Sequence, residues 1–169
     1  MAEIIYAEEE YLPRFHHTLD LVAREQVYIE MICAPPFEKT QELFKKQKTG
    51  NFPMYFAMYF AMDGDDVIGW ADISIPENPR LSHRGFLGMG VLASYRGRGI
   101  GSQLLKACLD HGAGIGLEKV ELSVYSVNLA AIKLYQKFGF AQMGYVKNYR
   151  KLNGQYFDCL EMEKYVQPK

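Results

Sequence analysis

Arg84-Gly85-Phe86-Leu87-Gly88-Met89-Gly90-Val91-Leu92-Ala93-Ser94-Tyr95-Arg96-Gly97-Arg98-Gly99-Ile100-Gly101 is the stretch on which the reading of this chain turns. A short apolar run enters a turn rich in arginine and glycine. Directly behind it, Ile100, Leu104, Cys108, His111 and Ile115 recur at spacings of three and four, the pattern of a helix with one apolar face. Gly112, Gly114 and Gly116 mark the end of that helix, and the alternating run Val120 to Tyr125 reads as a strand. Strand, turn, helix and strand make a parallel unit, whose crossover is expected to be right-handed. In the turn, Gly97, Gly99 and Gly101 let a ligand approach the backbone without meeting a Cβ. The first N–H groups of the helix have no partners of their own and point into the turn, and Arg96 and Arg98 add positive charge. The segment is therefore an anion site, suited to a pyrophosphate.

Three anion-binding patterns compete for it. A dinucleotide fingerprint starting at Gly97 requires a glycine at position 102, where Ser102 stands, and no acidic ribose partner follows the next strand. A P-loop requires Gly-Lys-Ser/Thr, which the chain lacks. Arg-x-x-Gly-x-Gly is matched without a gap by Arg96, Gly99 and Gly101. A second segment, Asn128-Leu129-Ala130-Ala131-Ile132-Lys133-Leu134-Tyr135-Gln136-Lys137-Phe138-Gly139-Phe140, opens with a good N-cap residue and closes with a glycine suited to the left-handed C′ position. Phe138 and Phe140 are expected in the core. Tyr135 is either a half-buried aromatic of an amphipathic helix, the commoner fate, or a functional group.

Together the two segments resemble the two signatures of the GNAT superfamily of N-acetyltransferases, in the right order and spacing. The resemblance covers residues 84–140. It implies a mixed α+β fold with a central, mostly antiparallel sheet, parallel strands four and five that splay apart, and helices on both faces. It implies acetyl-CoA as co-substrate with no metal. The cofactor would be held by the strand-four backbone at Met89, Gly90 and Val91, by Arg96, Gly97, Arg98, Gly99, Gly101 and Ser102 of the loop, and by Asn128. The Val91 N–H would polarise the thioester carbonyl, and Tyr135 would protonate the departing thiolate. Many members place a glutamate on strand four as base, but Phe86, Leu87 and Met89 occupy the corresponding positions here. Asp72 on the third strand is a candidate acting through water, set against the commoner fate of an exposed strand carboxylate. His83, a water chain, or an amine arriving neutral are further options. The glycines at 85, 88 and 90 are read as marking close approach of another backbone.

Length and composition agree with one domain over residues 1–169, without linker or low-complexity stretch. The hydrophobic fraction is 49%, the charged fraction 23% and the net charge −1, which argues against a nucleic-acid binder. Lysines cluster only at Lys45, Lys46 and Lys48, as on a solvated helix end. Three isolated cysteines, Cys33, Cys108 and Cys159, without ligand spacing point to a reduced, cytoplasmic setting. The acidic N-terminal segment is unlike a signal peptide. The longest apolar run, Pro53 to Met62, holds Met-Tyr-Phe-Ala twice and is too short to span a membrane.

The expected element order is β, α, α, β, β, β, α, β, α, β, β. The first helical region spans Glu8 to Glu30 and is interrupted by Pro13; the second helix spans Glu38 to Lys48. Hairpins are expected at Asp63-Gly64-Asp65-Asp66 and Asn153-Gly154. By the resemblance, the acceptor site lies near Tyr28 to Phe37, with Glu30 as the nearby acid, and Tyr149, Tyr156 and Asp158 of the last hairpin form the opposite wall. The leading functional reading is direct acetyl transfer to a small-molecule amine such as an amino acid or polyamine. The alternatives are acetylation of a protein N-terminus or lysine, and a non-catalytic acyl-CoA-binding module. Homodimers are common in the superfamily, and the aromatic last hairpin offers a surface for one.

Overall fold

The computed structural model describes residues 2–48 and 57–166. The elements follow the expected order: β1 (Glu3–Tyr6), α1 (Leu12–Arg24), α2 (Phe37–Lys48), β2 (Ala57–Asp63), β3 (Asp66–Ser74), β4 (Arg84–Val91), α3 (Ile100–Gly114), β5 (Lys119–Tyr125), α4 (Leu129–Lys137), β6 (Ala141–Leu152) and β7 (Gln155–Tyr165). They form one seven-stranded sheet in the order β1-β2-β3-β4-β5-β7-β6. Every pair of neighbours is antiparallel except β4 and β5.

Local chemistry accounts for most boundaries. Asn128 caps α4 through its side-chain oxygen, which accepts from the Ala131 N–H at 3.2 Å, and Gly139 ends that helix with φ +84°. The hairpin between β6 and β7 turns on Asn153 (φ +50°) and Gly154 (φ +82°), the backbone that suits Asn-Gly. Side chains alternate across the sheet. Ala71, Ile73, Val120, Leu122 and Val124 pack with Leu104, Leu105 and Cys108 of α3 and Ile132 and Tyr135 of α4. Met58, Phe60 and Trp70 face the other way, onto Phe15, Leu19 and Val22 of α1.

Three expectations change, and one falls partly outside the described residues. Pro13 does not interrupt the first helix; it sits in the first turn of α1, where a missing N–H costs nothing. That helix stops at Arg24, so Glu30 lies in a non-helical segment rather than on a helix. The glycines of β4 make room for side chains of β3 rather than for a backbone. A Cβ on Gly90 would lie 2.3 Å from the Trp70 ring, one on Gly85 would lie 2.4 Å from Ile73 Cγ2, and one on Gly88 would lie 3.1 Å from Asp72 Oδ1. Of the long apolar strand expected over residues 52–62, Ala57 onward belongs to β2; the first Met-Tyr-Phe-Ala copy falls mostly outside the described residues.

Candidate active site

β4 and β5 pair only at Arg84 with Lys119, Gly85 with Val120 and Phe86 with Glu121. Beyond that the strands part, and the gap opens into a cavity of about 920 Å³. The closed end is pinned by a charged cluster. Glu121, with its side chain 5% exposed, holds its carboxylate 2.6 Å from Lys119 Nζ and 3.5 Å from Arg84 Nη1, and Lys119 also reaches Glu163 at 2.9 Å.

Beyond Phe86 the β4 edge presents backbone groups that make no pair with β5. The Leu92 N–H donates to the Ile68 carbonyl at 3.0 Å, and hydrogen-bonded and non-bonded pairs alternate along an antiparallel ladder. Gly90 therefore faces β3, whereas Met89 and Val91 present their N–H and C=O to the gap. The Val91 carbonyl accepts Arg96 Nε at 2.8 Å.

At one end of the cavity lies the glycine-rich turn. Gly97 and Gly99 have φ of +75° and +80°, and a Cβ on either would meet nothing within 4 Å. These conformations strongly favour glycine. The backbone is bare on its outer side, and Gly99 is the N-cap of α3. The N–H groups of the first turn, from Ile100 through Ser102, are the ones an α-helix leaves without internal partners. Gly101 serves packing: its missing Cβ would lie 3.3 Å from Leu134 and 3.4 Å from Met89. A pyrophosphate-bearing cofactor fits this cradle.

Tyr135 lines the cavity from α4, on the α3 face of the sheet. Its ring packs 5.7 Å from that of Phe140. Burial pushes its hydroxyl above the ordinary tyrosine value, so it holds its proton at neutral pH. Asp72 lines the cavity from β3, on the α1 face. It is half-buried rather than exposed. Desolvation pushes its carboxyl from 3.8 to about 7, opposed by a hydrogen bond from Trp70. A carboxyl poised there can accept a proton near neutrality.

A family model described as the acetyltransferase (GNAT) family matches residues 23–140. The L-amino acid N-acetyltransferase AaaT of Escherichia coli is 28% identical, covering 84% of this chain and 86% of its own. Among solved structures, a GNAT acetyltransferase from Streptococcus pneumoniae superposes with a TM-score of 0.88 at 23% identity, covering 99% of this chain and 100% of the other. A GNAT phosphinothricin acetyltransferase from Sinorhizobium meliloti, solved with acetyl-CoA, superposes with a TM-score of 0.86 at 20% identity, covering 97% and 88%.

The chain is a GNAT-family acetyltransferase. It is an acetyl-CoA-dependent enzyme on the GNAT fold.

The GNAT resemblance implies Met89, Gly90, Val91, Arg96, Gly97, Gly99, Gly101, Ser102, Asn128 and Tyr135 as site residues, and Asp72 is the candidate base offered in place of a strand-four glutamate; all of them line this one cavity. Arg98 is not among the lining residues; its Nη2 donates to the Ser94 carbonyl at 2.8 Å and its guanidinium stacks on Tyr95. Arg96 lines the cavity, but its guanidinium is bound to protein groups rather than held open in the cradle. Asn128 combines lining with capping. Of the expected opposite wall, Tyr149 lines the cavity and donates its hydroxyl to Glu30. Tyr156 and Asp158 are not among the lining residues; Asp158 accepts from the Tyr145 hydroxyl and the Asn148 N–H instead.

Three residues of the site escaped the sequence. Trp70 lies against Gly90 and bounds the cavity. Tyr125, 4% exposed, lines it from the end of β5. Arg150 donates to the carbonyls of Gln26 and Ile29, at 2.7 and 3.4 Å, and lies 5.1 Å over the Tyr125 ring. The alternating run Val120 to Tyr125 reads as a strand, but only the packed neighbours reveal Arg150 over the Tyr125 ring. Among the described residues no group of three or more His, Cys, Asp or Glu could hold a metal.

Proposed function

We propose that this enzyme moves the acetyl group of acetyl-CoA directly to the primary amine of a small acceptor that arrives as a cation, such as an amino acid or polyamine. The observation that carries the reading is the single cavity through the β4–β5 gap, with an anion cradle at one end and the half-buried Asp72 carboxylate on the other face of the sheet. When bound, acetyl-CoA supplies an acyl group activated as a thioester. The Gly97–Gly99 turn and the α3 N-terminus hold its phosphates. The edge of β4 from Met89 to Val91 pairs with the extended arm as an added strand would. The Val91 N–H donates to the oxygen on which negative charge grows.

Asp72 takes the ammonium proton, directly or through one water, which frees the nitrogen lone pair for attack. As the C–N bond forms and the C–S bond breaks, Tyr135 gives its proton to the sulfur, and the acylated nitrogen sheds its remaining extra proton through water to the phenolate, which restores the hydroxyl. Two carboxylates, Asp72 and Glu30, and the rings of Tyr28, Trp70, Tyr125 and Tyr149 line the acceptor end, which suits a cationic amine with an apolar body. The likeness to an L-amino acid N-acetyltransferase supports the same acceptor class.

The test is thiol release from acetyl-CoA against amino acids, polyamines, aminoglycosides and short peptides. Release with a free amino acid or a polyamine is expected. Release with short peptides alone would overturn the small-molecule reading in favour of a protein N-terminus. Coenzyme A binding without release across the panel would favour a non-catalytic binding module.

A further inference from the structure

The segment after α1, Glu25-Gln26-Val27-Tyr28-Ile29-Glu30-Met31, is non-helical, and Tyr28 through Met31 line the acceptor side of the cavity. Its own backbone bonding is sparse; the Gln26 N–H returns to the Ala23 carbonyl at 3.0 Å, and Gln26 itself has φ +53°. Two other parts of the protein hold it. From the last hairpin, Arg150 donates to the carbonyls of Gln26 and Ile29, and the Tyr149 hydroxyl donates to Glu30. From the glycine-rich turn, Arg96 Nη2 lies 2.9 and 2.7 Å from the two oxygens of Glu25, and its guanidinium lies 5.4 Å from the centre of the Tyr28 ring. The same guanidinium holds the Val91 carbonyl at the end of β4. The side chains of Arg96 and Glu25 are 33% and 25% exposed, so water screens the pair less than it would a surface ion pair.

Arg96 is thus the first residue of the cofactor turn and, through its side chain, the support of the acceptor wall. We propose that Glu25 and Arg96 are positioning residues for the acceptor. Their ion pair transmits the state of the cofactor turn to residues 26–31, so the acceptor binds well only when coenzyme A holds that turn. The inference rests on the acetyltransferase reading above. It assigns Arg96 a second role and brings in Glu25, which lies outside both signature segments. An anion in the cradle restrains the turn, the turn restrains Arg96, and Arg96 restrains Glu25 and Tyr28. The two ligands then bind with positive coupling without touching through this wall.

The variant that tests this is Glu25→Gln, which keeps the side-chain volume and removes the charge. Acceptor KM is expected to rise about tenfold, with kcat and the Kd for coenzyme A each within about twofold. In the Glu25→Gln, Arg96→Gln double variant, acceptor KM should be no higher than with Arg96→Gln alone, as two members of one contact require. A merely structural role would lower kcat and thermal stability together and leave the two substitutions additive.

A second measurement needs no acceptor. Coenzyme A alone should slow amide hydrogen exchange across residues 26–31 in the unsubstituted protein and leave it unchanged in Glu25→Gln. An acceptor KM that moves less than about twofold would overturn the proposal. So would a coenzyme A Kd that rises as much as acceptor KM, or a wall whose exchange ignores coenzyme A. Binding of coenzyme A without any wall response overturns this proposal alone; no binding of coenzyme A at all overturns the acetyltransferase reading with it.

Discussion

Replacing Asp72 by asparagine should trade activity for stability, and both halves follow from one number. The Asp72 carboxyl is raised from 3.8 to about 7 because burial beneath α1 disfavours its charge. Between these values the folded protein binds a proton that the unfolded chain has released. Stability therefore falls as pH rises from about 4 to about 7, and the full penalty stands above 7. At ~1.4 kcal/mol per pH unit the displacement corresponds to roughly 4 kcal/mol. The carboxylate borders an open cavity, and water there relieves part of the cost, leaving about 2 kcal/mol.

The Asp72→Asn side chain would keep the shape and the acceptor oxygen for Trp70 while carrying no charge. The variant should therefore melt roughly 4–8 °C higher at pH 8, using 2–4 °C per kcal/mol for a chain of this size. The gain should shrink toward zero as pH falls to about 4. Its kcat should fall by about 10²–10⁴, the usual contribution of a general base. The pH dependence of kcat/KM should lose the limb that rises through about 7. Calorimetric melts at pH 4.5, 6 and 8 and thiol-release rates over the same range decide it. A melting difference independent of pH would refute the burial argument. Turnover within twofold of the parent would remove Asp72 as base.

Three further outcomes are expected. Tyr135→Phe should lower kcat by at least about 10²-fold with the coenzyme A Kd within about threefold by calorimetry; unchanged turnover would remove the hydroxyl from the proton donor's role. Gly99→Val puts a branched side chain at φ +80° over the open cradle, so it should cost about 1–2 kcal/mol of stability and raise the coenzyme A Kd by at least about 100-fold. Gly116→Val, at φ +88°, should share the strain and leave the Kd unchanged; equal losses of affinity in both would show that strain alone explains the effect. Gly90→Ala would place a Cβ 2.3 Å from the Trp70 ring, itself wedged 5.6 Å from Phe15. A loss of about 1–3 kcal/mol is expected from thermal melts.

The parts of this protein legible in its sequence are those built by neighbours along the chain. The turn at Gly97 and Gly99, the Asn128 cap, the Gly139 terminus and the Asn153-Gly154 hairpin each need only a few consecutive residues, and each lies where the spacing put it. The acceptor wall was only partly legible because its supports are remote. Glu25 meets Arg96 across 71 positions, and Gln26 meets Arg150 across 124. Residues two apart in a strand, such as Trp70 and Asp72, share a face, but the strand pattern says nothing about what roofs it. For that reason the carboxyl was expected exposed, and the glycines of β4 were assigned to a neighbouring backbone rather than to the side chains of β3.

Tyr135 and Asp72 reach one cavity from opposite faces of the sheet, and the gap between β4 and β5 is what makes that possible. Tyr135 packs with Ile73 and Leu104 on the α3 face, whereas Asp72 alternates onto the α1 face with Trp70. No single side of an intact sheet could offer both groups to one reacting carbon. Parting β4 from β5 removes the sheet at that point, so residues from both faces line one cavity. Where the parting begins is fixed by Glu121, buried between Lys119 and Arg84 at the last paired position. Removing one partner of a buried ion pair is costly because the other charge is left uncompensated. That cluster, remote from the glycine-rich turn, therefore sets the length of β4 edge left unpaired toward β5, from Leu87 to Val91.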